Sequence, residues 1–259
     1  GHLVALDAGG KCTGEDLIEP FLVLPFLHTL ILRGKKKTFI PSEISHLLNL
    51  RNIIIHAGGM KELPKGIGKL NKLRRLELFN CDRLSILPEE MQNCTSLEEL
   101  QIVACGISQL PDWIGNLSRL RYLRLATEIE SLPASIGNLQ ELEVLDLLDT
   151  NIKMLPPSIG NCKNLRKLMI TDSKLIFIPK ELTLLSKLEV LEIVNNDISE
   201  IPFSFENFSC LKHIDLDENH LVNLPKGLGT CPNLVSISAS RNQIQELPDD
   251  ITNSPSLST

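Results

Sequence analysis

Residues 211–233 read LKHIDLDENHLVNLPKGLGTCPN, and residues 142–164 read LEVLDLLDTNIKMLPPSIGNCKN. In both stretches the apolar residues occupy nearly the same positions, and a Leu-Pro pair follows at the same distance from the first leucine. Ten prolines, each preceded by Leu or Ile, recur every 22 to 24 residues from Pro41 to Pro248. A fixed period of this size predicts a solenoid, in which each repeat buries its apolar side chains against its neighbours.

The repeats share the pattern LxxLxLxx(N)xLxxLPxxIGxLxx, counted from a head leucine. Heads run from Leu27 to Leu234 in ten repeats, and Leu257 begins another. The LxLx centre alternates apolar and polar residues, which is typical of a short strand. Proline has no backbone N–H and so blocks a regular β-ladder of hydrogen bonds in the segment that returns from one strand to the next. We therefore expect 3₁₀ or extended segments there.

These units resemble leucine-rich repeats along about nine tenths of the chain. The resemblance implies an α/β solenoid, a right-handed horseshoe with a parallel β-sheet on the concave face and short 3₁₀ or extended segments on the convex face. The stretches LRRLELFNCDRLSILPEEM and LRYLRLATEIESLPASIGNLQELEVLDLLDTNIKMLPPSIGN are similar to the repeat region of plant intracellular nucleotide-binding immune receptors. The more regular LDENHLVNLPKGLG looks more like Ras-group intracellular leucine-rich-repeat proteins.

The period also predicts the domain organisation. Residues 1–26 form a degenerate first repeat or cap, in which Leu17, Ile18 and Leu22 pack beneath a strand containing Leu3, Leu6 and Ala8. Residues 27–256 form the ten repeats, and residues 257–259 begin a truncated further repeat. We therefore expect flanking domains in a longer chain.

The ninth position of a leucine-rich repeat normally carries asparagine. Its side-chain amide forms hydrogen bonds with backbone groups of its own turn and of the turn in the next repeat. In the later repeats this position holds Asn196, Asn219 and Asn242. Earlier repeats have weaker donors, namely Cys81, Cys105, Thr150 and Ser173. Lys35, Gly58 and Glu128 cannot fill the role well, so we expect looser turns before the C-terminal half. Cys81 and Cys105 occupy neighbouring repeats, where a pair of weak donors is favoured over a redox pair.

Composition excludes several function classes. The net charge of −6 argues against a dedicated nucleic-acid binder, and no long uncharged apolar stretch predicts a membrane span. Cys94, Cys162 and Cys231 replace apolar residues of other repeats, which indicates free buried thiols and a cytoplasmic location. No catalytic grouping, metal-ligand spacing or cofactor motif is present, so we expect neither an enzyme nor a bound cofactor.

Equal positions of stacked repeats form columns across the sheet. From Arg74 to Lys212 the second position alternates in sign, which predicts cross-strand ion pairs rather than a binding site. The seventh position carries an apolar run at Phe79, Val103, Ala126 and Leu148 that should face solvent in the concavity. A contiguous exposed apolar patch favours an interaction site.

Charge is segregated along the same face. Residues 27–75 hold eleven basic and two acidic residues, whereas acidic side chains line the later strands. Such a bipolar surface would orient a partner. The predicted protein-binding residues of the concave face are Arg33, His56, Arg75, Phe79, Val103, Tyr122, Arg124, Asp146, Leu148, Met169, Val194, Asp215 and Asp217.

The sequence thus predicts a non-enzymatic protein-recognition domain, with a protein partner and neither nucleic acid nor membrane. The resemblance implies the sensing and regulatory region of a plant intracellular immune receptor. A Ras-group-like scaffold that binds a small GTPase or phosphatase is the alternative, and a secreted receptor ectodomain is disfavoured by the cysteines.

Overall fold

The structure is a computed structural model that describes residues 5–8, 15–34 and 39–253. The chain divides into two compact units, Gly1–Glu128 and Ile129–Thr259. Leu3, Lys35 and residues 257–259, on which parts of the sequence predictions fall, lie outside the described residues.

The first unit contributes six of the strands found in the described residues. They are β1 (Ala5–Ala8), β2 (Thr29–Gly34), β3 (Asn52–Ala57), β4 (Arg75–Phe79), β5 (Glu99–Val103) and β6 (Tyr122–Ala126). Neighbours are parallel and follow chain order, and the register pairs equal positions of successive repeats, such as Phe79 with Val103.

The second unit repeats this arrangement. Its strands are β7 (Val144–Leu148), β8 (Lys167–Thr171), β9 (Val190–Val194), β10 (His213–Asp215) and β11 (Ser236–Ser238). They too are parallel and in chain order. The predicted fold class is confirmed, because each repeat supplies one parallel strand and then a short return segment.

The return segments are mostly 3₁₀ turns. In the first unit they span Glu15–Leu17, Ser42–His46, Lys65–Lys69, Glu89–Asn93 and Asp112–Asn116. In the second unit they span Ala134–Asn138, Pro157–Asn161, Lys180–Leu184, Leu228–Thr230 and Asp249–Asn253.

The periodic proline directly precedes eight of these 3₁₀ turns. Pro111, for example, has φ −73° and ψ 154°, and its carbonyl accepts a hydrogen bond from the amide of Ile114 at 3.0 Å. Proline suits this place because its fixed φ fits the extended entry and its missing amide is not needed. The isoleucine of the turn is fully buried, as Ile114 and Ile159 show.

The fourth and sixth positions of the first nine repeats form the core. Leu76 and Leu78 of β4, and Leu100 and Ile102 of β5, are fully buried between the sheet and the return segments. Because strand side chains alternate, the third, fifth and seventh positions lie on the opposite side of the sheet. We call that side the strand face.

The N-terminal segment differs from the prediction. Helix α1 (Ile18–Val23) follows a 3₁₀ turn, and Leu17 and Phe21 are its buried residues. Ile18 and Leu22 are 36% and 53% exposed, so their predicted packing beneath β1 is wrong. With 3.6 residues per turn, Leu17 and Phe21 share one helix face and Ile18 and Leu22 lie on the next.

The turns after the strands are more regular in the second unit, as the sequence predicted. Each of its five turns has one left-handed residue, with φ between 50° and 55°, at Asp149, Asp172, Asn195, Glu218 and Arg241. In the first unit Asn80 and Ala104 are left-handed after β4 and β5, whereas the described turns after β3 and β6 have no left-handed residue. The left-handed turn is therefore kept where the ninth position carries Cys, Thr or Ser, and is lost at Gly58 and in the short repeat.

Repeat-length irregularities lie within the same turns. The repeat headed by Leu73 has its extra residue between Cys81 and the buried Leu84. The repeat headed by Leu120 has one residue fewer between Ala126 and the buried Ile129. The strand register is unchanged by the insertion.

The residue before a head leucine supplies a second hydrogen-bonded ladder, which sequence analysis missed. Asn49 Nδ2 donates to the carbonyl of Pro25 at 2.9 Å, and Asn164 Nδ2 to that of Gln140 at 2.7 Å. Lys187 Nζ then donates to Asn164 Oδ1 at 2.7 Å. The recurring Asn-Leu pair at the repeat head was the available signal.

Candidate protein-binding face

The seventh position of the first unit forms one row along the strand face. Arg33, His56, Phe79 and Val103 are successive partners in the strand register. The rings of His56 and Phe79 stack with centroids 4.8 Å apart and an angle of 15° between planes. His56, Phe79 and Val103 are half-buried, so each retains surface on the side away from the core.

Two further apolar residues of this face were missed. Ile31 and Ile54 occupy the fifth position, are partners in the register of β2 and β3, and are half-buried. Reading the fifth column as well as the second and seventh would have found them. Ile31, Ile54, His56, Phe79 and Val103 together are called the unit 1 apolar cluster.

A polar network borders this cluster on β4 and β5. Arg75 Nε donates to Glu77 Oε1 at 2.7 Å and lies 3.4 Å from Glu99 Oε2. Gln101 Nε2 donates to Glu77 Oε1 at 3.1 Å and to Glu99 Oε1 at 2.5 Å. Since Glu77 is only 5% exposed, this network fixes Arg75 beside the cluster.

The remaining predicted residues of the first unit lie at its ends. Arg33 is exposed and pairs with Asp7 of β1. Tyr122 and Arg124 are half-buried on β6, in register with Glu99 and Gln101. All the predicted residues of this unit therefore share the strand face.

The second unit carries its own apolar residues on the strand face. Leu148 and Val194 occupy the seventh position, Met169 the fifth, and all three are half-buried. Asp146, in register with Met169, is only 7% exposed and offers little surface to a partner.

The acidic pair of the second unit is engaged with the backbone. Asp217 Oδ1 accepts hydrogen bonds from Ser238 Oγ at 2.6 Å and from the Ser240 amide at 2.7 Å. Asp215 Oδ1 accepts one from the Asp217 amide at 3.1 Å. Both carboxylates are half-buried, so they order the ends of β10 and β11 while keeping part of their surface.

The second-position charges pair across strands, as predicted. Arg74 and Glu98 lie 3.5 Å apart in the first unit. In the second unit Glu189 lies 2.6 Å from Arg166 and 2.7 Å from Lys212. Hydrogen bonds from Lys212 and Arg166 lower the pKa of Glu189. These pairs neutralise one another at the edge of the sheet.

The ninth-position ladder is also confirmed. Asn196 Nδ2 donates to the carbonyls of Ile170 at 2.8 Å and Val194 at 2.9 Å, and its Oδ1 accepts from Leu175 N. In an earlier turn the Ser173 hydroxyl accepts a hydrogen bond from the Thr150 amide and forms another with the Thr150 hydroxyl.

The short repeat departs from its predicted pattern. Thr127, not Glu128, occupies the ninth position, is 5% exposed and donates to the carbonyls of Cys105 and Ile107. The deletion removes the left-handed residue, and Thr127 bonds different carbonyls of the preceding repeat from the one that Asn196 bonds.

Three isolated cysteines fill the core. Each thiol of Cys94, Cys162 and Cys231 donates to a carbonyl of the preceding repeat at 3.3 to 3.4 Å. Burial raises the pKa of Cys94 to about 11, of Cys162 to about 12 and of Cys231 to about 11.

These values predict selective thiol chemistry. Because thiolate is the reactive form, a thiol reagent at about pH 8 should label half-exposed Cys210 and leave the three buried cysteines unmodified until the protein unfolds. Mass spectrometry after timed labelling measures this directly. Labelling of Cys162 as fast as that of Cys210 would contradict it.

A metal-holding group and a membrane-spanning helix are both absent from the described part of the chain. Within residues 5–8, 15–34 and 39–253, no group of three or more His, Cys, Asp or Glu side chains could hold a metal ion. In the same ranges no helix has the length and hydropathy needed to cross a bilayer.

Comparison with known proteins identifies leucine-rich-repeat proteins as similar to this chain. A family model described as "Leucine-rich repeat region" matches residues 109–204. A leucine-rich-repeat protein of Leptospira interrogans is 33% identical, with a TM-score of 0.89 over 98% of this chain and 64% of that one. The chain has the leucine-rich-repeat fold. A search of curated proteins finds no match.

Two further solved structures are also similar. The ectodomain of the Arabidopsis thaliana receptor kinase GASSHO1/SCHENGEN3, solved with CASPARIAN STRIP INTEGRITY FACTOR 2, is 28% identical with a TM-score of 0.65. It matches 97% of this chain over 33% of its own length. A TDR receptor is 28% identical with a TM-score of 0.77, over 91% of this chain and 43% of its own. The chain thus spans less than two thirds of each of these relatives.

Proposed function

We propose that this leucine-rich-repeat chain is a protein-recognition domain whose partner binds the strand face, the predicted concave surface. The observation that carries the proposal is the unit 1 apolar cluster. The stacked His56 and Phe79 rings, with Ile54 and Val103 beside them, occupy outward positions that the core does not require. Aromatic side chains near the centre of a desolvated patch often supply much of the binding energy in protein interfaces.

The surroundings of the cluster favour a protein partner. The Arg75–Glu77–Glu99 network and the exposed Arg33 provide a polar rim, which is the usual arrangement of an interface. The similar Arabidopsis ectodomain was solved in complex with CASPARIAN STRIP INTEGRITY FACTOR 2, which supports a binding role for such an array.

The second unit would make a separate contact with the partner. Leu148, Met169 and Val194 offer apolar surface, and Asp215 and Asp217 offer acidic surface to a basic region. The proposed partner is a protein, not a nucleic acid or a membrane.

At a finer level, we propose that the domain senses ligands and regulates signalling in a plant intracellular immune receptor, in the cytoplasm. Support comes from the resemblance of residues 73–91 and 120–161 and from the free cysteines. The alternative is a scaffold that binds a small GTPase or phosphatase, favoured by the regular repeat of residues 211–233. A nucleotide-binding domain in the same reading frame would separate the two, and binding of purified GTPases tests the second.

Phe79→Asp tests the proposed site. The substitution places a charge in the apolar cluster and removes the ring stack, so binding should weaken by about 2 kcal/mol or more, roughly thirtyfold. Thermal stability should change little, because position 79 faces outward. A photoreactive phenylalanine analogue at position 79 of the full-length protein identifies the partner, and titration then measures both affinities.

Ile86→Asp is the matched control. Ile86 belongs to the same repeat, is 73% exposed and lies outside the strand face. The same charge there should leave affinity unchanged. Equal affinities of the Phe79→Asp variant and the native protein would place the partner elsewhere.

A further inference from the structure

Cys81 and Cys105 occupy equal positions in neighbouring repeats of the first unit. β4 and β5 are in register up to Phe79 and Val103, two residues before each cysteine. The Gly106 amide donates to the Cys81 carbonyl at 3.2 Å, so the two turns remain in contact beyond the strands. Neighbouring strands lie about 4.8 Å apart, within the roughly 4.4–6.8 Å between Cα atoms that a disulfide spans.

Both thiols are free and act as donors to the strand ends. Cys81 Sγ donates to the Phe79 carbonyl at 3.5 Å, and Cys105 Sγ to the Val103 carbonyl at 3.5 Å and the Leu78 carbonyl at 3.6 Å. Cys81 is fully buried and Cys105 is 8% exposed, so only a small reagent can reach the pair.

The two thiols also interact with each other. A hydrogen bond from Cys105 lowers the pKa of the Cys81 thiol. The same bond, together with burial, raises the pKa of Cys105. Cys81 is therefore the member of the pair that ionises first, and its neighbour stays protonated.

The other buried cysteines of the described residues lack this arrangement. Cys94, Cys162 and Cys231 stand in repeats that are not neighbours, and burial raises the pKa of all three. They provide three comparison thiols within the same protein.

We propose that Cys81 and Cys105 form an oxidation site, at which a peroxide joins the two sulfur atoms in a disulfide between neighbouring repeats. The Cys81 thiolate attacks one peroxide oxygen, the O–O bond breaks, and the departing hydroxide takes a proton to become water. The resulting sulfenic acid is attacked by Cys105 sulfur. The S–O bond breaks, the S–S bond forms, and a second water leaves with the Cys105 proton. Two thiols lose two electrons and the peroxide gains them.

Oxidation changes the turns that follow β4 and β5. A disulfide sulfur carries no hydrogen, so the carbonyls of Phe79, Val103 and Leu78 lose the thiol donors that bond them in the reduced protein. The turns next to Phe79 and Val103 therefore become less stable when the pair is oxidised.

The test uses the full chain carrying Cys12→Ser and Cys210→Ser, so that the pair is compared with buried cysteines alone. The folded protein is treated with hydrogen peroxide, alkylated in denaturant and digested without reduction. The expected product is a peptide pair linked through Cys81 and Cys105, lighter by two hydrogen atoms, with the three comparison cysteines alkylated. Dithiothreitol should restore both thiols.

Cys105→Thr should abolish the link while keeping the fold, because threonine serves the ninth position at Thr127 and Thr150. Cys94→Ser is the control that should retain it. Full alkylation of Cys81 and Cys105 after peroxide, or sulfinic acid in place of the link, would overturn the oxidation site.

Hydrogen exchange tests the effect on the turns. Amides 80–82 and 104–106 should exchange about tenfold faster in the oxidised protein, the change expected from one lost hydrogen bond. Those of β8 should be unaffected. A linked protein with unchanged exchange would refute the loosening of the turns while leaving the site itself in place.

Discussion

Replacing Asn219 with alanine is expected to lower the free energy of unfolding by about 3 kcal/mol. Its buried amide donates to the carbonyls of Ile193 at 2.7 Å, Asp217 at 3.0 Å and Leu216 at 3.1 Å. Its Oδ1 accepts from the Ile198 amide at 3.4 Å. Alanine leaves these backbone groups without their partner, and each buried unsatisfied group costs about 1–3 kcal/mol.

Two comparison variants isolate this cause. Cys81→Ala removes a thiol whose bond to the Phe79 carbonyl is weak and should cost about 1 kcal/mol. Asn223→Ala, in the same repeat as Asn219 but exposed, should cost less than about 0.5 kcal/mol. Urea denaturation gives all three values, and equal midpoints for Asn219→Ala and Cys81→Ala would refute the argument.

Gly160→Ala is expected to cost about 2–3 kcal/mol, because overpacking a close contact forces the backbone to move. A β-carbon at this position would lie 2.4 Å from the carbonyl oxygen of Glu181 in the next repeat. The obstacle is backbone rather than the end of a flexible side chain. Gly137 meets the Ser158 carbonyl at the same distance, so the glycine of the repeat pattern allows successive 3₁₀ turns to stack closely.

Pro157→Ala is the matched control for this turn. Pro157 is exposed at the start of the segment that contains Gly160, so its replacement should cost less than about 1 kcal/mol. Thermal and urea denaturation of both variants measure the difference. A Gly160→Ala protein as stable as Pro157→Ala would show that the turns separate freely.

The repeat pattern was readable from sequence because it is a local property repeated many times. Leu76 and Ile114 are fully buried. Other repeats carry leucine or isoleucine at the same two positions because those positions face the core. The amide of Asn196 likewise makes the bonds expected at the ninth position. Agreement among the repeats removes the ambiguity that each short segment would have alone.

Features that break the period could not be read in this way. The deletion near Glu128 could be placed at several positions, and only the hydrogen bonds of Thr127 show which residue enters the ladder. The burial of Asp146 depends on side chains of neighbouring strands, which spacing within one repeat does not reveal. In helix α1 the buried residue is Phe21, which lies outside the repeat pattern, whereas Leu22 is exposed.

The turn that absorbs repeat-length changes also has a use in protein engineering. Between Cys81 and Leu84 the chain carries one more residue than usual, yet Phe79 stays in register with Val103. Between Ala126 and Ile129 it carries one fewer, and both flanking positions keep their usual burial. These turns are therefore the places to graft an epitope tag or a longer recognition loop, since added residues there need not alter the stacking of the repeats.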